Sequence, residues 1–269
     1  MYELKQKNFD LRQIAISGQA FRMNEISNGR FEIIARDRYL LAEQDEKGIC
    51  RFGCSEEEFR SFWYSYFDLE TDYGKFISAI DENDAFLTAA AKSCPGLRIL
   101  RQDPWEMVVT FLISQQNNIT RIKRCVENIC TRYGEKKTSP DGKVYHAFPL
   151  PEALAGLPED ALMADNLGYR SKYVVRTAGE IARGEFKIES LAGMSYEETR
   201  EKLLKLYGVG VKVADCICLF GLHHIEAFPI DTHIKQMLAR EYDNRFPFER
   251  YDGFAGVIQQ YIFYHELHG

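Results

Sequence analysis

The sequence has no excess of basic residues. Its 34 lysines and arginines stand against 40 aspartates and glutamates, which leaves a formal net charge of −6 over 269 residues. A protein that holds nucleic acid through its overall charge is basic. Any binding of DNA or RNA by this chain therefore needs a local basic patch on an otherwise acidic surface.

Long apolar runs and a cysteine framework are also missing. No apolar stretch approaches the roughly 20 residues of a membrane span, and the N-terminus contains no apolar signal core. The seven cysteines are an odd number without paired spacing, which is typical of a reduced interior rather than of a secreted protein. We therefore expect no membrane partner and a cytoplasmic location, on the nucleoid in a prokaryote or in the nucleus of a eukaryote.

Two kinds of hydrophobic pattern divide the chain. Short runs rich in Phe, Ile, Tyr and Leu, separated by turn-forming clusters, predict antiparallel strands at residues 31–35, 38–42 and 49–52. No helical pattern alternates with these runs, so a parallel sheet is not indicated. From about residue 56 the pattern is helical. The sequence predicts an α+β fold with an antiparallel β-sheet domain at 1–65 and a mostly α-helical region at 66–269.

Local signals mark the ends of individual helices. The Asp-Pro-Trp-Glu motif at 103–106 places an N-cap, a proline at N1 and an acidic residue at N3. The Ser-x-x-Glu motif at 195–198 predicts a capping box for a helix that ends at Gly208. The polar, Gly-containing and Pro-containing segment 134–143 is typical of an exposed loop.

The most informative segment is Leu-Tyr-Gly-Val-Gly-Val-Lys-Val-Ala-Asp-Cys at 206–216. One helix ends at Gly208 and another begins within about three residues, so residues 195–221 predict a helical hairpin. Gly208 and Gly210 allow positive φ and the close approach of another backbone. The amides that open the second helix then form an anion site suited to a phosphate. A plain hairpin with a glycine cap is the alternative interpretation.

Two residues near this hairpin carry chemistry. Lys212 lies in the first turn of the second helix, where the positive end of the helix dipole disfavours its charged form. A neutral lysine is a nucleophile that forms Schiff bases. Asp231, in a Pro-Ile-Asp segment, is suited to cap the next helix, and a carboxylate fixed there can also serve a reaction. A solvated lysine and a purely structural cap are the alternatives.

These motifs resemble the helix-hairpin-helix, Gly/Pro-Asp superfamily of DNA glycosylases, and in particular the 8-oxoguanine DNA glycosylase family. The matching segments are Ile-Ser-Gly-Gln-Ala-Phe-Arg at 16–22, Leu-Arg-Gln-Asp-Pro at 100–104, Asn-Asn-Ile at 117–119, Leu-Gly-Tyr-Arg at 167–170 and Lys-Val-Ala-Asp-Cys-Ile-Cys-Leu at 212–219. The resemblance implies an enzyme that turns oxidised guanine out of double-stranded DNA, excises it and nicks the strand.

The resemblance also implies a role for each residue of the reaction. Lys212 would attack the sugar C1′ and form an imine, after which β-elimination breaks the strand. Asp231 would stabilise the developing positive charge on the sugar and help deliver Lys212 in its reactive form.

Four further residues are implied to bind the flipped base. The carbonyl of Gly18 would accept a hydrogen bond from N7–H of oxidised guanine, a hydrogen that normal guanine lacks. Cys216 and Phe263 would sandwich the base, and Gln259 would bond its Watson–Crick edge.

Other implied roles concern the DNA around the vacated site. Tyr169 would wedge into the duplex, Arg121 and Arg170 would contact the orphaned cytosine, and Asn117 would fill the space left by the base. Gln116 stands where the family usually has Asn to read the cytosine, so we expect a relaxed demand for cytosine.

The hairpin itself is implied to hold the lesion strand. Gly208 and Gly210 would approach the DNA backbone, and His233 would lie near a phosphate. A structural monovalent or divalent cation would be held by the carbonyls of Leu204, Leu206 and Val209. No other cofactor is expected, and no iron–sulfur cluster, because no cysteine cluster follows Asp231. A monomer is expected.

Two other functions fit parts of the sequence. An alkylbase glycosylase of the same superfamily would be monofunctional, and Lys212 argues against it. A non-catalytic DNA-structure binder would use the hairpin only as a phosphate clamp.

Overall fold

The computed structural model describes residues 1–269 and begins with an antiparallel sheet. Its five strands lie in the order β1-β5-β4-β3-β2. They are β1 (Tyr2–Lys5), β2 (Met23–Ser27), β3 (Arg30–Ala35), β4 (Arg38–Gln44) and β5 (Ile49–Phe52). The three predicted strands are confirmed as β3, β4 and β5. β1 and β2 were not predicted, because most residues of β2 are exposed and show no apolar alternation.

The rest of the chain is helical, as predicted, so the α+β fold is confirmed. The α-helices are α1 (Leu11–Ile16), α2 (Glu56–Glu58), α3 (Tyr64–Tyr66), α4 (Tyr73–Ser78), α5 (Ala85–Ser93), α6 (Pro104–Ser114), α7 (Ile119–Tyr133), α8 (Pro151–Ala155), α9 (Ser171–Ala182), α10 (Tyr196–Leu203), α11 (Val211–Gly221), α12 (Thr232–Tyr242) and α13 (Ala255–His268). A π-helical segment, Phe59–Trp63, joins α2 to α3. Short 3₁₀ helices occur at Ala161–Asp165, Gly168–Arg170, Ile188–Leu191 and Phe248–Tyr251. None of the helices combines the length and the apolar character needed to cross a membrane.

The sheet and the first helices share one hydrophobic core. The rings of Phe52, in β5, and Phe59 lie 4.4 Å apart between centroids, and those of Phe9 and Phe67 lie 5.3 Å apart. A single cluster of buried side chains continues from these rings through the helices to α13. The division of the chain at residue 65 stays a prediction.

The predicted helix starts are confirmed, but the predicted helix end at Gly208 is wrong. Helix α10 ends at Leu203, and residues 204–208 form a turn, in which Gly208 supplies a positive φ. Asp103 caps α6 by accepting a hydrogen bond from the amide of Glu106 at 3.0 Å, and Pro104 is the first helical residue. Ser195 and Glu198 form both bonds of the capping box that opens α10. Helices α10 and α11 therefore flank the turn that contains Gly208.

The prediction for segment 134–143 is wrong in part. Strands β6 (Lys136–Thr138) and β7 (Val144–His146) pair as a hairpin, with Lys137 opposite Tyr145. The polar β6 has no apolar alternation, so only its pairing with β7 makes it a strand. The connection is a tight turn in which Ser139 Oγ accepts a hydrogen bond from the amide of Lys143 at 3.0 Å.

Candidate active site

The turn between α10 and α11 requires glycine at one of its two glycine positions. Gly208 has a φ angle of +85°, and a Cβ there would lie 2.5 Å from Cγ of Tyr173. Gly210 has an ordinary φ of −94°, so the expected positive φ occurs at Gly208 alone. A Cβ on Gly210 would meet no atom of the protein within 4 Å. The absence of a side chain at Gly210 therefore leaves room for another molecule.

The start of α11 presents uncapped amides to this open space. Gly210 is the N-cap residue and has no side chain that could accept their hydrogen bonds. Val211 is 54% exposed, so the first turn lies at the surface. Free amides and the positive end of the helix dipole together suit a phosphate group.

A pocket lies beside this first turn. It is lined by Gly18, Phe111, Lys212, Cys216, Phe220, Pro229, Asp231, Gln259, Gln260 and Phe263. All six residues that were predicted for catalysis or base binding are among them. They come from the segment after α1, from α11, from the start of α12 and from α13, so the tertiary fold alone brings them together.

Lys212 and Asp231 face the pocket in different ways. Lys212 Nζ lies 5.5 Å from the ring centroid of Phe111, and the amine forms no salt bridge within 4.0 Å. Asp231 is the N-cap of α12, where its Oδ1 accepts a hydrogen bond from the amide of Ile234 at 2.8 Å. That cap holds the carboxylate at the pocket, while the lysine amine has no carboxylate partner.

The predicted base-binding residues form two walls of the pocket. Gly18 has a φ of +78°, and Phe263 Cε1 would lie 2.9 Å from a Cβ at that position. The Gly18 carbonyl accepts no backbone hydrogen bond. Burial raises the pKa of the Cys216 thiol to about 11, although the nearby Lys212 opposes this rise. The thiol is therefore neutral near pH 7 and offers an apolar surface.

A pair of glutamines closes the pocket. The amide nitrogen of Gln259 donates to the carbonyl of Pro229 at 3.1 Å, and that of Gln260 donates to Gln259 Oε1 at 3.1 Å. The orientation of the Gln259 amide is thereby fixed. Gln260 was not predicted, although two adjacent glutamines in an apolar helix are a visible signal. Its own Oε1 is buried without a partner.

Two lining aromatics were also missed by sequence reasoning. Phe111 and Phe220 stack with their ring centroids 5.4 Å apart. Both lie in the apolar stripes of α6 and α11, and such stripes indicate a core without indicating a pocket.

Comparison with known protein families decides the identity of this fold. Residues 1–108 match the family described as 8-oxoguanine DNA glycosylase, N-terminal domain. Residues 109–245 match the HhH-GPD superfamily of base excision DNA repair proteins. The chain belongs to the 8-oxoguanine DNA glycosylase family.

Individual members of the glycosylase family are similar over most of their length. The N-glycosylase/DNA lyase of Saccharomyces cerevisiae is 32% identical over 259 residues, which covers 86% of this chain and 68% of the yeast protein. A probable N-glycosylase/DNA lyase of Methanothermobacter thermautotrophicus is 33% identical over 228 residues, which covers 74% of this chain and 72% of the archaeal protein's length.

A solved structure extends the similarity to three dimensions. It contains the Clostridium acetobutylicum 8-oxoguanine glycosylase/lyase in complex with double-stranded DNA that has cytosine opposite 8-oxoguanine. It superposes with a TM-score of 0.91 at 34% identity and covers 98% of this chain and 96% of that one.

The residues predicted to contact the DNA around the vacated base site lie around the loop between α6 and α7. Tyr169 is 44% exposed, and Gln116 and Arg121 are exposed as well. Arg121 donates to the carbonyl of Asn166 at 3.2 Å. Asn117 is folded back on α6, with its amide nitrogen donating to the carbonyl of Ile113 at 3.1 Å.

Arg170 differs from these residues because it is only 4% exposed. Its guanidinium donates to the carbonyls of Gln115 at 2.7 Å, Gln116 at 2.9 Å and Leu167 at 3.2 Å. Most of its donors are thus committed to the protein backbone. A contact of Arg170 with an orphaned cytosine stays a prediction.

The remaining predicted residues lie near the pocket mouth and in the hairpin. The exposed ring of His233 is 6.5 Å from that of Phe263, edge to face. The Leu206 carbonyl accepts a hydrogen bond from the amide of Val209 at 3.1 Å. No group of three or more His, Cys, Asp or Glu side chains is placed to hold a metal ion.

Proposed function

We propose that this glycosylase excises 8-oxoguanine from double-stranded DNA and nicks the abasic strand, with Lys212 as the nucleophile. One observation carries the assignment. An amine without an ion pair shares a pocket with the fixed carboxylate of Asp231 and with the unpaired carbonyl of Gly18. A nucleophile, an anionic stabiliser and an acceptor for the base are what base excision needs.

The pocket selects the base by hydrogen bonding and by contact. The flipped base enters between Cys216 and Phe263, after the Phe263 ring moves away from Gly18. The Gly18 carbonyl accepts the N7–H that only the oxidised base carries, so normal guanine leaves this buried acceptor unpaired. Gln259 donates to the Watson–Crick edge from an amide whose orientation Gln260 and Pro229 fix.

The reaction consists of three bond-breaking steps. In the first, Lys212 Nζ bonds to C1′ while the bond from C1′ to the base breaks, and the base leaves with that electron pair and takes up a proton. The carboxylate of Asp231 stabilises the positive charge on the sugar. In the second, Nζ loses a proton and its electron pair forms the C1′=N bond of an imine, while the C1′–O4′ bond breaks and O4′ takes up a proton. In the third, the imine permits loss of a C2′ proton, and the C3′–O bond breaks to release the phosphate end of the strand. Hydrolysis of the imine then restores the lysine.

The surface around the pocket suits the proposed DNA partner. The uncapped amides of α11 and the open space at Gly210 receive a phosphate of the lesion strand, with His233 close by. Tyr169 enters the duplex, and Arg121 and Gln116 face the opposite strand. The enzyme acts as a monomer on this DNA, in the cytoplasm or nucleus where the DNA lies.

A structural cation is proposed for the hairpin. Leu204 is the C-cap residue of α10, where carbonyls lack intrahelical donors. The carbonyls of Leu204, Leu206 and Val209 would offer the oxygen ligands that hard cations prefer. The cation would neutralise part of the phosphate charge brought to this turn. No redox cluster takes part.

Borohydride trapping tests the assignment. A duplex with one 8-oxoguanine opposite cytosine should give a covalent protein–DNA adduct with the native enzyme. Lys212→Gln should bind the duplex but give neither adduct nor free base, whereas Lys92→Gln, which changes an exposed lysine of α5, should behave like the native enzyme. Excision without trapping would favour a monofunctional alkylbase glycosylase, and binding alone would favour a non-catalytic DNA binder. Trapping by Lys212→Gln would exclude Lys212 as the nucleophile.

A further inference from the structure

Gln115 lies between the two parts of the site that touch different DNA strands. It follows the last residue of α6 and precedes Gln116, whose backbone is left-handed with a φ of +48°. Neither the hairpin nor the reaction described above uses its side chain. Its contacts nevertheless reach both the Gly208 turn and the loop that faces the opposite strand.

The side chain of Gln115 joins α6 to the hairpin. Its amide nitrogen donates to the carbonyl of Leu112 at 3.2 Å and to the carbonyl of Gly208 at 3.1 Å. The Gly208 carbonyl receives no backbone hydrogen bond, so this amide is its donor within the protein. One primary amide thus satisfies a free carbonyl at the end of α6 and a free carbonyl in the hairpin turn.

The main chain of Gln115 faces the other way, toward the protein residues that were predicted to contact the DNA around the vacated base site. Its carbonyl accepts from Arg170 Nε at 2.7 Å and from the hydroxyl of Tyr169 at 3.4 Å. Arg170 is buried, and separating it from its acceptors would leave a charged group without partners at a large cost. The 115–116 backbone and Arg170 therefore move together.

We infer that Gln115 is a positioning residue that couples reading of the opposite base to placement of the hairpin. The inference rests on the proposed function. A cytosine that docks on Gln116, Arg121 and Tyr169 fixes the position of the 115–118 loop. The hydrogen bond from the Gln115 amide then fixes the position of the Gly208 carbonyl. Gly208 lies four residues before Lys212, so the position of the turn sets where the amine meets C1′.

The coupling predicts an effect that depends on the opposite base. With cytosine opposite, the loop is docked and the hydrogen bond from Gln115 to the Gly208 carbonyl, here called the tether, carries its position to the hairpin. With a mismatched base the loop is not docked, so the tether does not place the hairpin correctly. Removing the tether should therefore slow excision opposite cytosine more than excision opposite adenine. A general loss of packing would slow both reactions alike.

The test compares Gln115→Met with a matched control. Methionine keeps the length and volume of the side chain but cannot donate to either carbonyl. Gln44→Met removes a side-chain bridge far from the loop. The Gln44 amide nitrogen donates to the carbonyl of Phe9 at 3.0 Å, and its oxygen accepts from the amide of Leu11 at 2.8 Å. Single-turnover excision of 8-oxoguanine is measured opposite cytosine and opposite adenine, together with affinity for duplexes that carry a tetrahydrofuran abasic analogue opposite the same two bases.

The native enzyme must first excise 8-oxoguanine, and failure there rejects the proposed function rather than the tether. We expect Gln115→Met to lower the cytosine-to-adenine ratio of excision rates by about tenfold, the size of effect that the net free energy of one hydrogen bond produces, and to lower the ratio of affinities in the same direction. Gln44→Met should leave both ratios unchanged. Native ratios in Gln115→Met, or ratios that fall equally in Gln44→Met, would overturn the inference. The affinity ratio decides the question even where excision is too slow to measure.

Discussion

The ring of Phe263 lies against the α-carbon of Gly18. A Cβ at Gly18 would be 2.9 Å from Cε1 of that ring, and the φ angle of +78° already disfavours any other residue. Glycine at this position therefore serves two purposes. It allows the positive φ of the backbone at the pocket wall, and it leaves room for the ring of Phe263 against the same wall.

Gly18→Ala should separate base recognition from strand cleavage. The added methyl group and the strained backbone displace the carbonyl and the ring, so excision of 8-oxoguanine should fall by about tenfold or more. Cleavage of a preformed abasic site needs Lys212 and no base, and it should change little. Gly184→Ala is the control, because Gly184 has a φ of +73° with no neighbour within 4 Å. Equal loss of both activities in Gly18→Ala would contradict the proposed contact.

Asp231→Asn should slow the reaction while the helix remains capped. Asparagine caps helices as well as aspartate does, so the bond to the Ile234 amide persists. Loss of the charge beside the positive sugar should cost about 100-fold in the single-turnover rate. Asp72→Asn changes the cap of α4, where Asp72 accepts from the amide of Gly74 at 3.0 Å, and should leave the rate unchanged. A stability loss without a rate loss in Asp231→Asn would show that Asp231 is only a cap.

Gln116→Asn should stabilise the loop and sharpen the choice of cytosine. The φ of +48° at this position suits asparagine better than glutamine, so the free energy of unfolding should rise by about 0.5–1 kcal/mol. The shorter amide also loses less side-chain entropy when it docks. Urea unfolding and single-turnover excision opposite all four bases measure the two effects. Unchanged base ratios would mean that Gln116 is not the selector and that the arginines read the cytosine alone.

Alanine at the two hairpin glycines should change two different properties, stability at Gly208 and DNA affinity at Gly210. Gly208→Ala meets both a positive φ and the ring of Tyr173, so it should lower the free energy of unfolding by about 2 kcal/mol or more. Gly210→Ala has ordinary backbone angles and open space, so the fold should keep its stability while DNA affinity falls. Thermal unfolding and duplex binding together test the pair. Undiminished DNA affinity in Gly210→Ala would show that no backbone approaches there.

Glu106 should make stability depend on pH. It is 6% exposed, and its Oε2 accepts only a long bond from the amide of Arg36 at 3.4 Å. Burial raises its pKa from an ordinary 4.5 to about 7. The folded state binds this proton more tightly than the unfolded chain does. The stabilisation that protonated Glu106 adds to the free energy of unfolding is therefore complete below about pH 4.5. It is lost as the pH rises through about 7, a change of about 3 kcal/mol.

Glu106→Gln should remove this dependence. Relative to the native protein, the variant should gain stability as the pH rises from about 5 to about 8. Urea unfolding across this range measures the difference, and a difference that stays constant with pH would contradict the buried, neutral carboxyl.

Local sequence determined the parts of this protein whose causes are local. The capping residues Asp103 and Ser195 satisfy nearby amides whatever the rest of the fold does, and the turn before α11 needs the positive φ of Gly208. Short runs rich in Phe, Ile, Tyr and Leu, separated by turn-forming clusters, likewise predicted strands β3 to β5. Strands β2 and β6 escaped prediction because they are short and polar, and only their partners make them strands.

The site shows the same division between local and long-range causes. Lys212 at a helix start and Asp231 at a cap were recognisable as chemical groups, and the family motifs implied their roles. Only tertiary packing decided that Phe111 and Gln260 line the pocket. Packing also decided that Arg170 is buried against backbone carbonyls although its sequence context is that of a surface cation. A sequence lists donors and acceptors, but the distances between distant segments determine which of them meet, and those distances are set by the shared core.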